Sequence, residues 1–151
     1  MCGRFDRHSS LADFTHTIDG LYVAASEELP PSYNVAPSQR ALVVRLTPGG
    51  RVASALVWGL IPSWAGDAKK NWPINARSET VAKRPMFRRP FRTQRCLVLC
   101  NGYYEWQKQA TGPKQPYYLQ RPEATPFALA GLWERNDHLG TESLETFCIL
   151  T

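Results

Sequence analysis

The apolar positions fall into short segments, most of them with the two-residue repeat of a strand. Residues 2–7 read as a short strand. Leu11, Phe14 and Ile18 share one helical face after Ser10, a candidate cap, and Gly20 follows the end of that helix. Residues 30–40, bounded by prolines, read as a loop. Ala41–Leu46 and Val52–Trp58 read as strands of a hairpin turned by Thr47-Pro48-Gly49-Gly50. Residues 59–76, rich in Trp, Pro and Gly, read as ordered loop, and Ser78 as the cap of a short helix through Lys83. Strands are expected at Arg95–Asn101, Tyr103–Gln107, Tyr117–Gln120, Pro126–Trp133 and Thr146–Thr151, with a turn at Thr111-Gly112-Pro113. The pattern predicts an α+β fold: a β-rich single domain whose curled or barrel-like, mostly antiparallel sheet carries a few short helices.

At 151 residues the chain is long enough for one domain with its own core. Phe147-Cys148-Ile149-Leu150-Thr151 stops within an apolar strand, so a further segment is expected to complete the sheet. Neither a secretory signal nor a long apolar span is present, and a cytoplasmic, nucleoid-associated protein is expected. The four cysteines lack disulfide-scaffold density, and neither Cys-x-x-Cys nor a paired histidine spacing occurs. No metal, cofactor or membrane contact is expected, and a monomer is.

Charge changes the picture more than composition does. The net charge is +5, and nine of the 18 basic residues lie between Lys69 and Arg95, opposed there only by Glu79. Trp72, Phe87 and Phe91 are interleaved with them. A solvated basic face would have this charge. The added rings match single-strand nucleic-acid binding, in which cations follow phosphates and aromatics stack on bases.

Three segments carry candidate chemistry. Cys2 becomes residue one once Met1 is trimmed, placing a thiol and an α-amine on neighbouring carbons. With ordinary values near ~8.5 and ~7.7–8.0, both are partly deprotonated at neutral pH. Such a pair can attack an acyl group, or condense with an aldehyde to a five-membered thiazolidine. Asn75-Ala76-Arg77-Ser78-Glu79-Thr80 offers an amide, a guanidinium, a hydroxyl and a carboxylate; a capping box accounts for Ser78 and Glu79 but not for Asn75 or Arg77. Glu105 lies between Tyr104 and Trp106, an environment that raises a carboxyl pKa and suits proton shuttling. Strand alternation turns it away from both rings, so it can equally face water. Cys96 and Cys100 read as core residues.

Six motifs in order resemble the SOS response-associated peptidase (SRAP) family. They are Met1-Cys2-Gly3-Arg4-Phe5, Tyr33-Asn34-Val35-Ala36-Pro37, Trp58-Gly59-Leu60-Ile61-Pro62, Asn75-Ala76-Arg77-Ser78-Glu79-Thr80, Gly102-Tyr103-Tyr104-Glu105-Trp106 and Ala130-Gly131-Leu132-Trp133. The resemblance implies a β-rich domain with a basic groove for single-stranded DNA. It also implies recognition of the abasic-site aldehyde, thiazolidine crosslinking through the processed cysteine, and a self-directed peptidase step removing Met1. Carried over by motif, Cys2 is the nucleophile, Asn75 holds the amine or sugar, and Glu105 is the general acid/base. Arg4 and Arg77 grip phosphates and Asn34 lines the site; Arg84, Arg88, Trp72 and Phe87 extend the DNA surface. The family also has a later histidine in an Ile-His-Asp-Arg-like motif. This chain ends before it, and His138, in Asn136-Asp137-His138-Leu139-Gly140, does not match it.

Two other readings stand beside this one. An N-terminal-nucleophile glutamine amidotransferase also begins Met-Cys-Gly, and Asn101-Gly102 would supply its oxyanion donors. A non-catalytic single-strand binder would leave Cys2 incidental.

Overall fold

The computed structural model describes residues 2–23, 27, 29–69 and 72–151. Ten strands dominate it. In chain order they are β1 (Arg4–Arg7), β2 (Ser32–Val35), β3 (Arg40–Thr47), β4 (Gly50–Trp58), β5 (Asn75–Ala76), β6 (Arg95–Cys100), β7 (Gly102–Gln107), β8 (Gln115–Gln120), β9 (Phe127–Asn136) and β10 (Leu144–Leu150). Helix α1 spans Leu11–Thr17 and α2 spans Pro85–Thr93. No described helix is long and apolar enough to cross a membrane.

One sheet runs β4-β3-β6-β9-β10-β5, and a parallel pairing of β10 with β4 (Thr146 opposite Val57) closes its first five strands into a barrel. β5 adds in parallel to the far end of β10, Asn75 opposite Ile149. The second sheet, β2-β1-β7-β8, is antiparallel throughout. The expected β-rich, mostly antiparallel barrel is therefore present, with two parallel pairings at its seam.

Alternation along the strands sorts side chains between the inside and the outside of the barrel. Inward positions Ala41, Val43, Leu56, Trp58, Cys96, Val98, Cys100, Phe147 and Ile149 form the central core with Cys2, Phe5 and Val35. Outward positions Leu42, Val44, Ala53, Ala55 and Leu99 pack beneath α1 through Phe14 and Leu21. On another flank, Leu132 and Cys148 meet Phe87 of α2 with Leu60, Ala76 and Val81. Each large apolar side chain fully buried this way contributes about 1.5–3 kcal/mol. The barrel wall leaves no room for a side chain at Gly131, where an added Cβ would lie 2.9 Å from Cys96 Sγ and 3.0 Å from Cys148 O.

The Ser10 cap is present: its hydroxyl accepts from Asp13 N–H, and the Asp13 carboxylate accepts from Ser10 N–H. Two expectations fail. The 30–40 segment contains β2, because β1 supplies hydrogen-bond partners to Ser32–Val35 despite the flanking prolines. Ser78 caps no helix; residues 78–84 form successive turns, and Ser78 N–H donates to Thr151 O (2.8 Å). The helix follows instead at Pro85, which fits a first helical turn because its missing N–H would be unpaired there.

Candidate functional site: a buried cysteine in a cleft at the barrel mouth

Cys2 directly precedes β1 and is 5% exposed, inserted at the end of the barrel core. Two contacts fix it. Its Sγ–H donates to Arg4 O (3.6 Å), and its carbonyl accepts from Asn75 Nδ2 (2.8 Å). Asn75 is held by the pairing of β5 with β10. Among the described residues its Oδ1 is buried without a hydrogen-bond partner.

The cysteine opens onto a cleft of about 240 Å³, walled by Tyr103, Glu105, Leu129, Ile149, Leu150 and Thr151. Glu105 lies on this side of β7, whereas Tyr104 and Trp106 leave the strand on the other; the Tyr104 ring sits 5.0 Å from Tyr118. The sequence left this orientation open, and the structure turns Glu105 toward the cysteine. Burial pushes the Cys2 thiol up to about 11, and the negative charge of Glu105 adds to the effect. Desolvation holds the thiol protonated at neutral pH, so any chemistry at Sγ needs a proton acceptor.

Cys2, Asn75 and Glu105 are therefore brought together. Arg77 follows β5 directly, is exposed, and lines an adjoining hollow with Glu79, Thr80 and Thr151, the last shared with the cleft. Arg4 and Asn34 pair with each other (Nη1 to Oδ1, 3.2 Å) and do not line the cleft; register sets Arg4 opposite Tyr104. Arg84 and Arg88 are exposed at the start of α2 and within it. Trp72 is half-buried; its Nε1–H donates to Asp67 O (3.1 Å), and it lines a separate hollow with Pro37, Ser38 and Trp58. Phe87 is a correction. At 9% exposure it is part of the core beneath α2, because the helical repeat that turns the arginines outward turns this ring inward, and no base can stack on it. Met1 lies outside the described residues. Among the described residues no group of three or more His, Cys, Asp or Glu could hold a metal ion.

Sequence reasoning missed Trp64, which is 69% exposed on a firmly anchored loop. Buried Glu134 accepts from Ser63 N–H (2.8 Å), Asn136 Nδ2 donates to Pro62 O and Ala65 O (2.8 and 2.9 Å), and Arg89 donates to Ser63 Oγ (3.0 Å). A tryptophan in a Pro- and Gly-rich loop beside a basic run was the available signal. The cleft walls Leu129, Ile149 and Leu150 had none, since strand pairing alone assembles them.

The oxyanion role suggested for Asn101 meets a different geometry. Asn101 is 2% exposed, its Oδ1 accepts from His8 and Ser9 N–H (2.9 and 3.1 Å), and its Nδ2 donates to Ser9 Oγ (2.7 Å). Both ends of the amide are engaged in fastening the exit of β1. Asn101→Ala is expected to destabilise the fold by about 2–4 kcal/mol, because two backbone donors lose their acceptor. Urea unfolding measures this.

Comparison with known proteins agrees with the geometry. Residues 1–151 match the family model for SOS response associated peptidase (SRAP). The abasic site processing protein YoaM of Bacillus subtilis is 39% identical over 136 residues, covering 89% of this chain and 60% of the relative. YoqW of the same organism, with the same printed function, is 36% identical over 152 residues, covering 100% and 68%. The chain thus spans less than two thirds of YoaM. A crystal structure of a phage-related protein from Bordetella bronchiseptica superposes with a TM-score of 0.77 at 29% identity, covering 99% of this chain and 68% of that one. A Bacteroides thetaiotaomicron protein, at 24% identity and a TM-score of 0.80, shares the fold. With its matched length, its barrel and the cysteine-bearing mouth, the chain belongs to the SOS response associated peptidase family.

Proposed function

We propose that the protein binds single-stranded DNA and, once Met1 has been removed, captures the aldehyde of an abasic site in a thiazolidine. The observation that carries this is the joint placement of Cys2 and Glu105 in one cleft, with Asn75 holding the Cys2 carbonyl. The Cys2 amine adds to the aldehyde carbon and water departs, leaving a Schiff base. The Cys2 Sγ then adds to the same carbon while its proton passes to Glu105, and the nitrogen takes up a proton as the ring closes. A site-bound Schiff base also opens a lyase route to strand cleavage, which ring closure suppresses. The names of the Bacillus relatives support the substrate. Exposed Arg77, Arg84 and Arg88, with Arg4 and Trp72, form the DNA surface; Asn34 holds Arg4. The same cysteine acts as the self-directed thiol peptidase on Met1. The working protein is a metal-free monomer at the nucleoid. The amidotransferase reading is not favoured, because Asn101 is buried with its amide fastened to His8 and Ser9, and the basic run serves no purpose in glutamine hydrolysis.

The test is intact mass before and after mixing with a single-stranded oligonucleotide bearing one abasic site. Met1 loss and a gain of one oligonucleotide mass are expected. A protein without Met1 that gains no mass overturns the reading. Arg77→Ala is expected to weaken binding to intact single strands and to flatten its salt dependence by about one phosphate contact, measured by fluorescence polarisation across a salt series.

A further inference from the structure

The barrel has a second exposed feature, at the end opposite Cys2. On the outer face, Leu42, Val44 and Leu46 of β3 lie across from Ala55, Ala53 and Arg51 of β4, and Val44 lies across from Leu97 of β6. This apolar stripe is continuous, but α1 covers only part of it; Phe14 and Leu21 pack on Leu42, Val44 and Leu99. Beyond the helix, Leu46 is 76% exposed and Leu97 38%. There the surface forms a hollow of about 350 Å³ lined by Val44, Arg45, Leu46, Arg51, Arg95 and Leu97.

The charges around the hollow are one-sided. Arg45 is engaged: Glu145 accepts from it twice (2.6 and 2.7 Å), and its guanidinium lies 4.5 Å above the Trp133 ring. Arg51 gives one Nη1 to Gly20 O and keeps its other donors. Arg95 is exposed, with no hydrogen-bond or ion-pair partner among the described residues. Two available forks therefore flank exposed leucines, and among the described residues no acidic side chain lines the hollow.

We propose that this face docks an extended peptide segment of a partner protein, in which acidic side chains flank an apolar one. Arg51 and Arg95 take the carboxylates in the paired geometry that guanidinium favours. The apolar side chain enters between Leu46 and Leu97, giving an apolar centre with a charged rim. The hollow's apolar walls are aliphatic, whereas surfaces for unpaired bases offer aromatic faces, so peptide fits better than nucleic acid. The cleft lies at the Cys100 and Ile149 ends of β6 and β10, whereas the hollow lies at the Arg95 end of β6. The peptide and the DNA can therefore be held together.

The probe is fluorescein-labelled Asp-Asp-Leu-Asp-Leu, followed by fluorescence polarisation on the intact chain. Saturable binding is expected that weakens with added salt and with peptides in which Asn replaces Asp or Ser replaces Leu. Arg95→Glu and Leu46→Ser are each expected to cut affinity about tenfold, whereas Lys114→Glu, on an exposed turn, leaves it unchanged. Both contact positions are exposed, and thermal melting confirms that the variants fold. Absence of saturable binding, or equal affinity in Arg95→Glu, overturns the proposal. So does displacement of the peptide by oligo-dT together with an equal loss of oligo-dT affinity in Arg95→Glu, which would make the face a nucleic-acid surface. The readout does not depend on crosslinking, so its failure and a failure of abasic-site capture are separate results.

Discussion

Cys2→Ala is expected to abolish the denaturation-resistant adduct with abasic single-stranded DNA while leaving salt-sensitive binding to intact strands in place. The side chain lies at the barrel mouth, and Arg77, Arg84 and Arg88, proposed to carry the electrostatic contact, lie elsewhere, after β5 and at α2. Prepared without Met1, the variant still presents an α-amine, so a Schiff base forms and can be fixed by borohydride; what is lost is the ring. Closure by a thiol on the neighbouring carbon benefits from an effective concentration on the order of 10⁵ M or more, which no dissolved thiol replaces. Gel analysis with and without borohydride separates the two species. A borohydride-independent adduct of wild-type yield in Cys2→Ala would show that another nucleophile does the work.

The second large effect concerns protons. Burial pushes the Cys2 thiol up to about 11, so the protonated form is favoured near neutrality. Glu105 acts on this in two opposing ways. Its charge raises the thiol pKa, and its carboxylate can receive the thiol proton. Glu105→Gln removes both. If electrostatics dominated, the variant would react faster, because the thiol would ionise more readily. If proton acceptance dominates, the variant slows by about 10²–10⁴-fold near neutrality. We expect the second outcome. The sign with pH follows: in Glu105→Gln hydroxide must remove the proton, so the rate climbs about tenfold per pH unit toward the thiol pKa. The wild-type profile is flatter, and the gap narrows as pH rises. Single-turnover crosslinking between pH 6 and pH 10 measures both slopes, and parallel profiles would remove Glu105 from the proton path.

Local signals in the chain were readable because they are written in neighbouring residues. Ser10 and Asp13 cap α1 within one turn, and Pro48-Gly49 joins β3 to β4 with no help from the rest of the fold. The barrel seam was not readable, since the pairing of Val57 with Thr146 and of Asn75 with Ile149 has no local signature. For the same reason β2 looked like a loop until β1 was placed beside it. At the site, Cys2, Asn75 and Glu105 were legible as residue types in recognisable motifs. Their meeting point was not, and neither was the thiol's protonation, which depends on how deeply strands from distant segments bury it. Phe87 shows the opposite error: a ring among arginines looked like a stacking surface until the helical phase put it inside.

The depth of Cys2 also bears on its durability. Peroxide and electrophiles react with thiolate and reach it through solvent. A thiol 5% exposed and largely protonated at neutral pH offers them little charge and only the route through the cleft. The burial that slows the intrinsic chemistry of the thiol is thus expected to slow its loss to oxidants as well.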